Sequence, residues 1–188
     1  MLPTSSRVFE RQHLWRVTPD LLREATTLLA CAVLRDHGPV DNVIGIAEGG
    51  TVPAHVIASA LGTRAGSVRA RHNTSSAAYE RATGTVHLDL KALVLALKGK
   101  RLHGRVLLVD DICGSGATLR RVIRDLGQLL APDAQLLTAT LCLNSGATTL
   151  PDYSIWMVSD WVVFPWEKPP ADGDPEPLPI PTKATSHA

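Results

Sequence analysis

The run Val106-Leu107-Leu108-Val109-Asp110-Asp111-Ile112-Cys113-Gly114-Ser115-Gly116-Ala117-Thr118 decides the fold. Four apolar β-formers lead into two adjacent carboxylates, then a Gly-Ser-Gly-x-Thr turn, then a stretch with helical spacing. This order places Asp110 and Asp111 at the tip of a buried strand, with the backbone N–H groups of the turn and helix start facing an anion. Carboxylates there accept hydrogen bonds from sugar hydroxyls or help hold a divalent cation. Phosphate beside paired acids implies a phosphorylated sugar, with the acids on its diol and the turn on its phosphate. The run is neither a Walker loop nor a dinucleotide fingerprint, because Gly-Lys-Ser/Thr and a third glycine are absent.

The chain around this run alternates strands and helices. Thr18-Pro19-Asp20 reads as N-cap, N1 proline and acidic first turn. Leu21, Leu22, Ala25, Leu28, Leu29 and Ala32 then recur at helical spacing up to His37-Gly38-Pro39. Residues 42–47 read as a buried strand, residues 53–61 as a helix stopped by Gly62, and residues 65–70 as a second strand. Residues 71–104 keep no single period and read as a mobile loop plus an edge strand or short helix. Val106 to Val109 is the central strand. Leu119, Val122, Ile123, Leu126 and Leu130 form the apolar face of the following helix. Residues 135–141 and 154–158 read as further strands. The fold class is therefore α/β, a largely parallel doubly wound sheet. Residues 168–188 are rich in Pro with few apolar side chains and read as a disordered tail.

At 188 residues the chain suits one well-cored domain. A net charge of +1 gives no nucleic-acid stripe and no membrane patch. The apolar runs are too short to span a bilayer. The first residues, through Arg7, lack an apolar signal core. Three widely spaced cysteines, Cys31, Cys113 and Cys142, argue against a disulfide framework and fit a reducing cytoplasm.

A second element is Ile46-Ala47-Glu48-Gly49-Gly50-Thr51-Val52-Pro53-Ala54, where two glycines between a strand and a helix expose backbone N–H groups to an anion. The third is Asp160-Trp161-Val162-Val163-Phe164-Pro165-Trp166-Glu167. Together, the three resemble type I phosphoribosyltransferases over residues 19–167, closest to the xanthine-guanine and hypoxanthine branch. The resemblance implies a core of about residues 19–143, a small hood built from the chain's ends with base-binding residues at about 144–167, and a flexible loop. It also implies Mg²⁺-dependent transfer of 5-phosphoribosyl from phosphoribosyl pyrophosphate (PRPP) to a heterocyclic nitrogen, releasing pyrophosphate, in a cytoplasmic dimer or tetramer.

By the same resemblance Asp110 and Asp111 position the ribose hydroxyls, and Asp111 supports Mg²⁺, directly or through water. Gly114, Ser115, Gly116, Ala117 and Thr118 bind the 5-phosphate. Glu48, Gly49 and Gly50 face pyrophosphate, with a cis Ala47–Glu48 peptide. Trp161 stacks on the acceptor and the Val162 backbone bonds its edge. Tyr79, with Ser75 and Ser76, falls in the flexible loop. Cys113 reads as inert, and His72, His87 and His103 as surface residues.

Three positions depart from the oxopurine pattern. Gly114 stands where an acid handles the imidazole proton of the purine. Leu143 stands where a lysine reads the 6-oxo group. Glu48 replaces a basic residue of the pyrophosphate loop. The donor half of the site is intact, and the departures leave a non-purine, amine-bearing acceptor open. A non-catalytic regulator binding PRPP or a nucleotide is the remaining alternative.

Overall fold

The computed structural model describes residues 7–71, 86–171 and 173–187. Tyr79, Ser75, Ser76 and His72, assigned to the flexible loop and its approach, lie outside them.

The elements run β1 (Leu14–Arg16), α1 (Pro19–His37), β2 (Asn42–Ala47), α2 (Thr51–Ala60), β3 (Ala65–Arg71), β4 (His87–Asp89), α3 (Lys91–Leu97), β5 (Arg105–Cys113), α4 (Ala117–Leu126), β6 (Gln135–Asn144), β7 (Tyr153–Val158), β8 (Trp161–Val163), β9 (Glu176–Pro177) and β10 (Thr185–Ser186). The local reasons are those of the sequence. Thr18 Oγ1 accepts from the Leu21 N–H at 3.2 Å, Pro19 opens α1, and the Gly38 N–H closes it on the Leu34 carbonyl at 2.9 Å. One face of α1 buries Leu21, Leu22, Ala25, Leu29 and Val33, and each fully buried leucine contributes about 1.5–3 kcal/mol.

The main sheet has the order β10-β7-β6-β5-β2-β3-β4. Pairs β2/β3, β2/β5, β5/β6 and β6/β7 are parallel, while β3/β4 and β7/β10 are antiparallel. β5 is apolar on both faces: Leu107 and Val109 join the core under α1 and α2, while Val106 and Leu108 join the core under α3 and α4. This is why it reads as a continuous apolar run rather than an alternation. A second sheet, β8-β1-β9, joins the two chain ends into the hood.

Two elements differ from the sequence reading. β5 does not stop at Val109 but runs to Cys113, because β6 pairs with it up to Cys113↔Leu143. β7, expected within the hood segment, pairs with β6 and extends the main sheet, its Tyr153, Ser154, Trp156 and Val158 buried.

The expected disordered tail is the main correction. The Leu178 N–H donates to the Arg16 carbonyl at 3.0 Å, and Trp156 Nε1 donates to the Pro179 carbonyl at 2.9 Å. β9 adds to β1, β10 adds to β7, and Leu178 is buried. Composition misled here, because sheet edges supply the hydrogen bonds that such a segment cannot make within itself.

Candidate functional site

β2 and β5 are neighbours, and from them the chain winds outward in opposite directions, through β3 on one side and β6 on the other. That is the topological switch point, where open α/β sheets bind ligands at the strand carboxyl ends. The β2/β5 pairing runs from Asn42↔Val106 to Gly45↔Val109, after which β5 stays paired with β6 alone. The turn after β2 and the acids of β5 therefore meet over one crevice.

The turn after β2 is folded tightly onto that edge. Its Ala47–Glu48 peptide is cis, as the resemblance implies. The Gly50 N–H donates to the Ile46 carbonyl at 2.8 Å and the Thr51 N–H to the Glu48 carbonyl at 3.2 Å. Gly49 lies directly on the Asp111 carboxylate, leaving no space for a Cβ. A Cβ on Gly50 would stand 2.5 Å from the Val109 carbonyl oxygen and 2.9 Å from Asp110 Cα. Glu48 itself is exposed.

Asp110 Oδ1 accepts from the Asp111 N–H at 3.0 Å, and Asp111 Oδ1 accepts from the Ile112 N–H at 2.7 Å. Burial, and then the charge of Asp111, hold the Asp110 carboxyl well above the usual carboxylate range. Burial also raises Asp111, opposed by the Ile112 N–H, by Asp110 and by the positive charge of Arg7. Two crowded, desolvated carboxylates of this kind release a proton when a cation or a pair of hydroxyls engages them. Hard oxygen donors in one place suit Mg²⁺, which keeps its waters and takes one or two carboxylates together with substrate phosphates.

Beyond Cys113 the chain turns into α4. Ser115 Oγ accepts from the Ala117 N–H at 3.3 Å. Gly116 has φ +84° and sits under Thr149, where a Cβ would be 2.5 Å from the Thr149 carbonyl oxygen. Only glycine combines that conformation with that contact. The Thr148 N–H, donating to the Ser115 carbonyl at 3.2 Å, holds the turn from above. Gly116 at the N-cap gives α4 no side-chain cap and its first turn has no acid, so beyond the Ala117 N–H, which Ser115 takes, its N-terminal N–H groups suit an anion. Cys113 is buried, donates to the Thr149 carbonyl at 3.3 Å, and its thiol is pushed up to about 12, mainly by burial. It braces the turn, in keeping with the inert reading.

The aromatic side of the crevice belongs to the hood. Trp161 is half-buried in β8. The Val163 carbonyl accepts from the Val17 N–H at 2.9 Å, so strand alternation turns the backbone groups of Val162 towards the open edge of that sheet. Trp166 stacks on Phe164 with centroids 5.2 Å apart and serves packing. Glu167 accepts from the Phe164 N–H at 3.0 Å, and burial raises its carboxyl.

Leu143 does not belong to this surface. It is buried in the core cluster that holds Cys113, Leu119 and Val122, because the extra length of β6 places it inside the sheet.

Residues that sequence reasoning passed over surround Trp161. Arg7 lies with its guanidinium carbon 5.1 Å from the Trp161 ring centroid and 4.9 Å from that of Phe9. Phe9 stacks on Trp161 at 6.0 Å. Asn144 brackets Val8, accepting from its N–H at 2.8 Å and donating to its carbonyl at 2.9 Å. The Asp160 carboxylate, buried, accepts from the N–H groups of Arg11, Gln12 and His13 at 2.5, 3.2 and 3.0 Å. Nothing in the local sequence signals these contacts, which join positions more than a hundred residues apart.

Comparison with known proteins agrees with this architecture. The phosphoribosyl transferase domain family matches residues 18–172. A xanthine-guanine phosphoribosyltransferase of Gluconobacter oxydans is 29% identical over 171 residues, covering 89% of this chain and 92% of its own length. One from Cereibacter sphaeroides is 31% identical over 134 residues, covering 70% and 72%. Among solved structures, a purine phosphoribosyltransferase from Pyrococcus horikoshii superposes with a TM-score of 0.66 at 27% identity, covering 87% of this chain and 99% of that one. With the paired acids, the glycine turn and the hood on one crevice, the chain belongs to the phosphoribosyltransferase family, type I, and is an enzyme of that family.

Proposed function

We propose that the enzyme transfers 5-phosphoribosyl from Mg²⁺-bound PRPP to a ring nitrogen of a purine base, releasing pyrophosphate. One observation carries the reading: at the switch point the Gly49 turn lies against the Asp111 carboxylate, and the strand bearing that carboxylate leads directly into the glycine turn and the start of α4. The similarity to two xanthine-guanine phosphoribosyltransferases supports the purine class.

In this reading the backbone from Ser115 to Thr118 holds the 5-phosphate, with Gly114 opening the turn. Asp110 and Asp111 accept from the ribose hydroxyls. Backbone groups of Glu48, Gly49 and Gly50 face the pyrophosphate, and the exposed Glu48 carboxylate stays clear of it. The acceptor lies against Trp161 with its edge on Val162. The C1–O bond to pyrophosphate breaks with its electron pair leaving on pyrophosphate. The acceptor nitrogen forms the new bond to C1 and gives its proton to water. Mg²⁺, when bound, neutralises pyrophosphate charge, with Asp111 as its carboxylate neighbour.

The protein's own contribution is positioning, and stabilisation of a ribosyl centre that gains positive charge beside two carboxylates. That role sets the need for Asp110 and Asp111 to be ionised in the loaded site.

A second reading, a non-purine amine-bearing acceptor, is favoured by the absence of an acid at Gly114. The test is pyrophosphate release from PRPP with guanine, xanthine, hypoxanthine and a panel of other heterocycles and amines. Efficient release with an oxopurine supports the first reading, and release only with an amine supports the second. Asp110→Asn with Asp111→Asn is expected to lower turnover by at least about a thousandfold with the fold retained. Parent-level turnover by that double variant refutes the donor assignment.

A further inference from the structure

We propose that Arg7, delivered by the N-terminal segment, is the specificity residue that donates to an exocyclic carbonyl oxygen of the acceptor. This inference rests on the proposed function and deepens its acceptor half.

The first argument is that Arg7 is held by a built anchorage. Asn144, 1% exposed, brackets the next residue through both N–H and C=O of Val8. The buried Asp160 carboxylate collects three consecutive N–H groups from Arg11 to His13. The Glu10 N–H adds a bond to the Ser159 carbonyl at 2.8 Å. Two buried side chains and a main-chain bond fix the segment that carries Arg7, so it forms a wall of the crevice.

The second argument is the guanidinium itself. It lies over Trp161 and Phe9, and its Nε is buried with no hydrogen-bond partner among the described residues. An N–H of a guanidinium left unpaired in a buried place is costly. A guanidinium placed against an aromatic cluster carries several N–H donors that the polar edge of a flat ligand on the same cluster can meet. Burial lowers the pKa of Arg7 and the charge of Asp111 opposes this; a guanidinium remains a cation in proteins.

The third argument is the fit between what is missing and what is present. Leu143, in the core, offers no donor to an oxo group. Gly114 has no side chain, and the space beside it is taken by the Arg7 stem, whose Cδ would be 3.4 Å from a Cβ there. An acidic side chain at position 114 would have to share that space. A Cβ alone would only touch that stem, so it is the carboxylate of a longer acidic side chain that would meet the arginine, which enters from a different part of the chain.

The experiment compares the unaltered protein with Arg7→Gln and Arg7→Lys, using Mg²⁺-PRPP and two acceptors, hypoxanthine and unsubstituted purine, which differ by the exocyclic oxygen. Arg7→Gln is expected to raise the hypoxanthine KM by roughly 10–100-fold, keep the PRPP KM within about twofold, and narrow the gap between the two bases. Arg7→Lys recovers part of the loss. Three results overturn the role: an unchanged hypoxanthine KM, an equal loss with both bases, or a lower KM in Arg7→Gln, which would make the segment a plug. An unaltered protein that releases no pyrophosphate with any acceptor of the wider panel overturns the proposed function itself, and this role with it.

Discussion

Gly49 and Asp111, on different strand ends, are in direct contact: a Cβ on Gly49 would stand 2.8 Å from Asp111 Oδ1 and closer still to Oδ2. The contact makes the turn after β2 and the acids of β5 one object. Gly49→Ala is therefore expected to push the Asp111 carboxylate aside. The measurement is the PRPP KM, which rises at least about tenfold while the far-ultraviolet circular dichroism stays that of the parent. A KM unchanged by the added methyl would show that the carboxylate position is immaterial.

The raised pKa of Asp110 has a sign that can be checked. An acid whose folded pKa lies above its unfolded value makes the folded state bind more protons, so its ionisation opposes folding above that window. Asp110→Asn removes the penalty. At neutral pH the variant is expected to melt about 2–4 °C above the parent, although it loses activity. The difference should shrink as the pH falls towards 4, near the unfolded value. A lower Tm at neutral pH contradicts the assignment.

Leu143→Lys, attractive from the sequence as a way to restore an oxo-group donor, should instead damage the fold. Position 143 is buried among Cys113, Leu119 and Val122, and an unpaired ammonium there is strongly disfavoured. Urea denaturation is expected to show a loss of about 3 kcal/mol or more, with no gain in hypoxanthine turnover. Improved turnover with parent stability would place the side chain on the acceptor surface after all.

Asp160→Ala tests the anchorage of the N-terminal segment. Three N–H groups lose their acceptor, at a cost of about 1–3 kcal/mol. Limited proteolysis should then cut the chain before β1, where the parent resists. Equal resistance in both proteins would mean that Asn144 and the strand contacts suffice.

The three cysteines should divide by burial. Cys31 is exposed, whereas Cys113 and Cys142 are buried, with burial raising both thiols. Titration with a thiol reagent at neutral pH is expected to modify one group quickly in the native protein and all three in denaturant. Rapid native reaction at Cys113 would contradict its bracing contact with Thr149.

Local sequence determined much of this protein. The apolar run before Asp110, the N-cap and proline of α1, and the glycines after β2 and β5 each act within a few residues, so the doubly wound sheet and the shared crevice were legible. Trp161 and Val162 were legible as a pattern. Only the tertiary structure decided what faces them. Leu143 reads the same whether it lines a site or a core, and β6 running on to Asn144 made it core. The tail from residue 168 looks unable to fold, yet two sheet edges supply its partners. Arg7 looks like the end of a featureless start, and it reaches Trp161 because Asn144 and Asp160, far along the chain, hold its backbone. Propensity and periodicity are short-range properties of the chain, whereas the surroundings of Trp161 are made of contacts whose partners are chosen only when distant segments meet in the hood.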